Sequence, residues 1–303
     1  MKIKLITLFV AILLFNTRCE QKPNAHDVTF NQEKLLQRVK ELSSDKFEGR
    51  RTGEKGNDLA RAYIVKELLQ QGVKSFYPEY EQPFVFNRGN DTLVANNVLG
   101  LIKGTENPNA YIVISAHYDH LGIGENGEIY NGADDDASGV SALFSFVEHL
   151  RTNPPKHSVV LAAFDAEEMG LMGAKHFVSK VKDSTIIANI NMDMISRSSK
   201  DELYVVGSRY NEKLSAIVND FKNPTTSKLL VGHDGTDGKQ DWTYASDHAP
   251  FHQEGIPFLY FGNEDHAAYH KPTDDFEEIT PDFYKNAVAM IIAMFNDIDA
   301  KGL

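Results

Sequence analysis

Short apolar runs alternate along the chain with segments whose apolar side chains recur every three or four residues. The apolar runs fall at 76–86, 93–102, 111–116, 158–164, 186–192, 201–206 and 256–261. Runs of this length are typical of β-strands, whereas the longer spacing is typical of amphipathic helices. That helical spacing falls at 30–42, 57–71, 137–151, 169–182, 211–221 and after Pro281. The alternation predicts an α/β fold in which a mostly parallel twisted sheet is sandwiched between helices.

Side chains that bind metals stand just beyond several of these apolar runs. His117 follows the third run, and Glu167 and Glu168 follow the fourth. Asp193 follows the fifth run, and His270 lies beyond the last one. In an open α/β sheet the carboxyl ends of parallel strands share one edge, where sites form. The sequence therefore predicts one metal centre that folding assembles from distant segments.

Histidine nitrogen and carboxylate oxygen form the mixed ligand set that zinc accepts, and catalytic zinc sites leave one position open for water. A single carboxylate can bridge two ions about 3.5–4 Å apart, so five side chains suffice for two zinc ions. An unligated glutamate beside them is a candidate general base, and Glu167 and Glu168 suit that division of labour. Asp119 is placed to accept the second imidazole N–H of His117. Each motif alone also fits a solvated or structural role.

The bulk properties restrict the class of protein. The chain has 303 residues with 42% hydrophobic content, enough for one large domain with a substantial core. Its net charge of -12 argues against nucleic-acid binding, which needs a basic face. Residues 223–243 are polar and glycine-rich, and we expect this segment to face the substrate.

The first 19 residues have the pattern of an export leader. Lys2 and Lys4 precede the apolar stretch from Leu5 to Phe15, which is too short to span a bilayer. Cys19 is the only cysteine and stands where lipoproteins carry an acylated cysteine, although Arg18 before it is not the small residue expected there. Lipidation and simple cleavage both stay open. We expect residues 1–19 to be a signal peptide or lipoprotein leader and 20–29 a tether.

Taken in order, the motifs resemble the M28 zinc metallopeptidases, a family that includes bacterial leucyl-type aminopeptidases. The resemblance covers about residues 40–298. It is carried by Phe47-Glu48-Gly49-Arg50, His117-Tyr118-Asp119, Gly132-Ala133-Asp134-Asp135-Asp136-Ala137-Ser138-Gly139, Glu167-Glu168-Met169-Gly170-Leu171, Asn191-Met192-Asp193, Ser246-Asp247-His248 and His270-Lys271-Pro272-Thr273-Asp274. It implies the phosphorylase/hydrolase-like fold of zinc exopeptidases, with residues 30–303 as a single zinc peptidase domain.

The resemblance also implies two zinc ions per chain, with five side chains as ligands: His117, Asp135, Glu168, Asp193 and His270. Asp135 would bridge the ions, with Asp134 as the substitute if the register of the aspartate triplet is wrong. Glu167 would be the general base and acid, and Asp119 would orient His117. Asp247, His248 and Tyr244 would lie near the substrate.

The implied activity is removal of N-terminal residues from peptides by an exported enzyme. Such an enzyme would be periplasmic, anchored to the outer membrane through a lipid on Cys19, or secreted. Three alternatives remain: a single-zinc glutaminyl cyclase, which resembles this family, a non-catalytic binding or receptor domain, and a carboxypeptidase. No convincing cluster of Arg and Lys supports the carboxypeptidase.

Overall fold

The computed structural model describes residues 28–181 and 185–303. The predicted leader, Cys19 and most of the tether therefore lie outside the described residues. Within the described part of the chain, no helix is both long enough and apolar enough to cross a membrane.

Helices and strands alternate through most of the chain, as the sequence predicts. The helices are α1 Gln32–Leu42, α2 Lys55–Gln70, α3 Gly139–Thr152, α4 Met172–Lys180, α5 Glu212–Asp220, α6 Ala249–Gln253 and α7 Pro281–Lys301. The strands are β1 Lys74–Ser75, β2 Glu81–Arg88, β3 Asp91–Ile102, β4 Asn107–His117, β5 Gly122–Ile123, β6 Ile129–Tyr130, β7 His157–Phe164, β8 Thr185–Met192, β9 Glu202–Val206, β10 Lys228–Val231 and β11 Phe258–Gly262.

Among the described residues, one nine-stranded sheet runs in the order β1-β3-β7-β4-β8-β11-β9-β10, and β2 pairs with β3. The four central strands β7, β4, β8 and β11 are mutually parallel. The pairs β3·β7 and β11·β9 are antiparallel, so the direction changes on both flanks of this centre. The predicted α/β class is confirmed, and its parallel strands are concentrated in the middle of the sheet, next to one another.

Helices cover both faces of the sheet, which explains why the central strands are continuously apolar. Because side chains alternate across a strand, β7 divides between two cores. Val159, Leu161 and Ala163 pack with the core that contains α1, α3 and α7. Val160 and Ala162 pack on the opposite face against α4 and α6.

Two segments differ from their predicted structure. The predicted strand 76–86 is shorter than expected, because a helical turn occupies Pro78–Tyr80 and β2 begins only at Glu81, while the short β1 ends before the predicted strand starts. The segment 223–243, predicted as a loop, contains β10, which pairs in parallel with β9 at the edge of the sheet. Only four residues pair there, with no clear alternation of burial, so the hydrophobic pattern carried no signal.

The described chain enters the domain beside the C-terminal end of α3. The Thr29 amide donates to Nδ1 of His149 over 3.3 Å, and the Asn31 amide donates to Oε2 of Glu148 over 2.7 Å. Asn31 also caps α1, because its side chain accepts a hydrogen bond from the Lys34 amide. These contacts fix the start of the domain against a helix that begins at the carboxyl edge of the sheet.

A buried arginine joins three loops at that edge. Arg50 has no exposed surface. Its guanidinium donates to the carbonyl oxygens of Tyr118 at 2.8 Å, Leu42 at 2.9 Å, Asn131 at 2.6 Å and Gly132 at 2.9 Å. A planar five-donor group can hold several carbonyls at fixed angles, which a lysine cannot do. Arg50 therefore fixes the loops after β4 and β6 relative to each other.

We expect Arg50→Met to lower the free energy of unfolding by about 3 kcal/mol or more, because buried carbonyl groups lose their donor. The matched control is Arg51→Met. Arg51 is partly exposed and donates to one carbonyl, that of Leu121, at 3.2 Å, so its loss should cost no more than about 1 kcal/mol. Urea unfolding of both variants measures the difference, and equal losses would contradict this role for Arg50.

Candidate metal centre

The carboxyl ends of the parallel strands bring the predicted ligands together. His117 is the last residue of β4, and Asp193 directly follows β8. Glu167 and Glu168 follow β7, and His270 lies in the loop after β11. Since β7, β4, β8 and β11 are neighbours in that order, these loops meet above one edge of the sheet.

Asp135 lies at the centre of this group, and its two carboxylate oxygens face different partners. Oδ1 is 3.1 Å from Nε2 of His117, which in turn is 3.6 Å from Oδ1 of Asp193. Oδ2 is 3.2 Å from Nε2 of His270, which is also 3.2 Å from Oε2 of Glu168. The five predicted ligands thus form two halves that share one carboxylate. This arrangement gives each half an imidazole and a carboxylate of its own.

Asp136 also lies close to His117 and Asp193 and belongs with them to a group that could hold a metal. However, its oxygens already accept hydrogen bonds from three backbone amides, those of His117, Met194 and Gly139. In contrast, the side chain of Asp135 faces imidazoles, and its Oδ2 accepts no hydrogen bond from the described residues. Asp135 is therefore the better candidate for the shared ligand.

The loop of the aspartate triplet is held by a carboxylate from the far end of the chain. Asp274 accepts hydrogen bonds from the amides of Asp134 and Asp135, at 3.1–3.2 Å. Asp134 accepts bonds from the amide and hydroxyl of Ser196 and from Nε2 of His266. Asp134 is thus occupied structurally, and the register that makes Asp135 the shared ligand is the one the geometry favours.

Asp119 acts on two parts of the site. Nδ1 of His117 donates to the main-chain carbonyl of Asp119 at 3.1 Å, whereas the Asp119 carboxylate is 3.7 Å away. Because a carbonyl only accepts, this bond holds the proton on Nδ1, so the neutral imidazole offers the lone pair of Nε2 as a ligand. The carboxylate instead accepts from the amides of Glu167 at 3.0 Å and Glu168 at 3.3 Å. The predicted pairing of the Asp119 side chain with His117 is replaced by this contact with the glutamate turn.

The side chain of Glu167 lines a small cavity in front of the ligands. The cavity has a volume of about 120 Å³ and is also lined by Met194, Trp242, Tyr260 and Tyr269. Burial raises the pKa of Glu167, and the neighbouring carboxylates of Asp193 and Asp247 raise it further, against an opposing effect of His117. A glutamate with a raised pKa holds a proton more readily than one in water.

Trp242 both packs in the core and borders this cavity. A larger groove of about 960 Å³ lies between α1, α2 and α3, but none of the candidate ligands lines it.

The three residues expected near substrate lie elsewhere. Asp247 and His248 are fully buried, and neither lines the cavity. His248 donates from Nε2 to the carbonyl of Trp242 at 2.9 Å, and burial lowers the pKa of His248 to about 3, so this histidine is neutral. Tyr244 is 58% exposed and packs near His252 rather than in the cavity. Asp247 and His248 are thus buried outside the cavity, and the exposed Tyr244 also lies outside it.

Sequence reasoning missed two histidines of the site. His266 contacts Asp134 as described above, and His120 places Nδ1 2.8 Å from Oε1 of Glu168. No apolar run directly precedes His266, so the pattern of strand ends gives no signal for it. His120 was visible in the sequence His117-Tyr118-Asp119-His120, three residues after a predicted ligand, and this spacing was the available signal.

The chain is similar in sequence and in fold to several known proteins. Aminopeptidase YwaD of Bacillus subtilis is 28% identical over 211 residues, covering 66% of this chain and 44% of that protein. The chain spans less than half the length of the curated relatives it matches.

Two solved structures share the fold at low sequence identity. BSAP, a zinc aminopeptidase from Bacillus subtilis, has a TM-score of 0.70 at 17% identity, covering 89% of this chain and 95% of that one. A glutaminyl cyclase from Fimbriiglobus ruber has a TM-score of 0.69 at 15% identity, covering 91% and 99%. Residues 97–295 match the family model for peptidase family M28. By this match, which includes each of the five candidate ligands, the chain belongs to peptidase family M28.

Proposed function

We propose that residues 30–303 form a single aminopeptidase domain that binds two zinc ions and removes N-terminal residues from peptides. The observation that carries the proposal is the position of Asp135 between the two halves of the centre, where its two carboxylate oxygens face separate sets of ligands. His117 and Asp193 complete the first set, and Glu168 and His270 complete the second. The same activity is supported by the sequence similarity to YwaD, which is named an aminopeptidase, and by the likeness in fold to the zinc aminopeptidase BSAP.

The donor set fits zinc in its chemistry. Imidazole nitrogen and carboxylate oxygen are zinc ligands, and the bond at Nδ1 of His117 makes Nε2 the nitrogen that the neutral ring offers to a metal. Oδ2 of Asp135 and Oε1 of Glu168 are buried without a hydrogen bond from the described residues, which is costly unless a cation binds there. When bound, the zinc pair lowers the pKa of water and polarises the scissile carbonyl.

Glu167 is the general base and acid. It takes a proton from the attacking water and returns that proton to the amine that leaves. Its position fits this role, because it lines the cavity beside His117 and Asp193 while its main chain is fixed by Asp119.

The size of the cavity favours an exopeptidase. At about 120 Å³ it is smaller than the roughly 300–1,000 Å³ of a typical ligand pocket, so it admits a short terminal group. Trp242 and Tyr260 supply apolar walls, and Gln240, Asn263 and Asp265 add polar groups. The acidic side chain of Asp265 in this lining suits the free α-amine of a substrate better than a C-terminal carboxylate.

We also propose that the enzyme is exported, because its first 19 residues have the pattern of a leader. The intact mass of the purified protein tests this directly. A chain that begins at Cys19 with added acyl mass would establish a lipoprotein, whereas a chain cleaved elsewhere without it would be secreted or periplasmic. A full-length chain would contradict export.

We expect Glu167→Gln to retain two zinc ions and to lower kcat by about 10²–10⁴-fold, because the amide cannot accept the proton. Asp135→Ala should instead lose zinc, since both halves of the centre share that carboxylate. Glu125→Gln, at an exposed glutamate, is the control and should match wild type. Zinc content by mass spectrometry and turnover of an aminoacyl substrate measure the effects, and normal turnover of Glu167→Gln would remove this base from the mechanism.

The activity itself is tested on a mixture of peptides with free, acetylated or glutamine N-termini, with and without a chelator. We expect chelator-sensitive, stepwise loss of residues from free N-termini, read by mass spectrometry of the products. Ammonia loss confined to the glutamine peptides would identify a glutaminyl cyclase, the alternative that the Fimbriiglobus ruber structure keeps open. Trimming from the C-terminus would identify a carboxypeptidase, and intact peptides despite bound zinc would favour a binding domain.

A further inference from the structure

A second imidazole stands in one half of the metal centre. His120 is 1% exposed, and the proposed mechanism does not use it. Its Nδ1 lies 2.8 Å from Oε1 of Glu168 and 3.7 Å from Oδ2 of Asp135. The half that contains Glu168 and His270 therefore has two imidazoles, whereas the half that contains His117 and Asp193 has one.

Three candidate ligand atoms in this half are alike in their hydrogen bonding. Nδ1 of His120, Oε1 of Glu168 and Oδ2 of Asp135 are all buried, and none forms a hydrogen bond with the described residues. Although Nδ1 and Oε1 are within hydrogen-bond distance, their orientation is not that of an N–H···O bond. The same three side chains form a group whose ligand atoms lie within 4.8 Å of one another. Converging lone pairs of this kind are satisfied by a cation.

The donors in this half lie close enough together to share one zinc ion. Two ligands at about 2.0–2.1 Å from zinc are separated by roughly 3.3 Å when the angle between them is tetrahedral. Nδ1 of His120 lies 2.8 Å from Oε1 of Glu168 and 3.7 Å from Oδ2 of Asp135, and Nε2 of His270 lies 3.2 Å from Oε2 of Glu168 and 3.2 Å from Oδ2 of Asp135. The two imidazoles therefore face different oxygens of Glu168, and their distances to the carboxylates fall on both sides of the expected length.

The backbone fixes the ring of His120 in this position. Its amide donates to the carbonyl of Arg50 at 3.3 Å, in the same frame that holds Gly132. A Cβ atom on Gly132 would lie 2.6 Å from Cδ2 of the ring, so a glycine there leaves room for the imidazole.

We propose that His120 is a fourth protein ligand of the second zinc, beside Asp135, Glu168 and His270. The proposal rests on the di-zinc centre described under the proposed function. The second site is then saturated by protein ligands, as structural zinc sites are, whereas the first site has three ligands and keeps an open position. It follows that the two sites differ in affinity, and that the first equivalent of zinc enters the His120 site.

Two substitutions of nearly equal shape at position 120 test this assignment. Asn places a neutral polar atom close to where Nδ1 lies, and it is a poor zinc ligand. Asp places an anionic oxygen there, which is a zinc ligand. Titration of metal-free protein with zinc, by calorimetry and by competition with a chelating dye, measures the two binding steps. Thermal unfolding of each metal-free variant confirms that it folds.

In wild type we expect two binding steps of different affinity. His120→Asn should weaken the tighter step by on the order of 100-fold, while His120→Asp should stay much closer to wild type. Asp193→Asn should weaken the other step and leave the tighter one in place. If His120→Asn binds both zinc ions as wild type does, or if Asn and Asp weaken the tighter step equally, His120 is not a ligand. If wild type binds fewer than two zinc ions, the proposed di-zinc function itself fails.

A measurement on wild type needs no variant. X-ray absorption of protein loaded with one equivalent of zinc counts the imidazoles on the first zinc to bind. Two imidazoles, those of His120 and His270, are expected. A single imidazole would overturn the proposal.

Discussion

A concentration of buried carboxylates at one edge of the sheet governs the rest of the structure. Asp135, Asp136, Asp193 and Asp247 are buried there beside the half-buried Glu167, and several of these carboxylates raise the pKa of a neighbour. Burial is the main cause that raises the pKa of Asp136, Asp193 and Asp247, which shows how poorly the fold alone satisfies this charge. Backbone amides, imidazoles and the guanidinium of Arg50 offset part of it. Bound cations would supply the remainder, so metal binding and folding stability are coupled here.

The sequence predicts this edge because the physics of parallel sheets makes strand ends meet. His117, Glu168, Asp193 and His270 each follow an apolar run, and the fold brings them together with Asp135 in the expected two halves. The placement of these ligands depends only on the order of strands and helices along the chain, which the hydrophobic pattern predicts well. The direction of individual strands is less visible, because alternation is the same in parallel and antiparallel pairs. The hydrophobic pattern could therefore not predict that β9 runs antiparallel to β11.

Contacts that depend on the main chain were also hidden from the sequence. His117 is oriented by the carbonyl of Asp119, and no side-chain motif records which carbonyl a loop presents. Trp242 borders the cavity because β10 and the loop after it fold back over β9 and β11, an arrangement without a periodic signal. His120 acquires its position from Arg50 and Gly132, which are 70 and 12 residues away in the chain. Sequence patterns identify which side chains are present, whereas loop geometry decides which of them converge.

The contacts of Thr29 and Asn31 determine where the domain is joined to the part of the chain that precedes it. They attach the start of the described residues to the C-terminal end of α3, while the N-terminal end of that helix directly follows the aspartate triplet. A helix of 14 residues is about 21 Å long, so this junction and the metal centre lie at opposite ends of it. A tag or linker fused ahead of Thr29 would therefore be attached about one helix length away from the ligand loops.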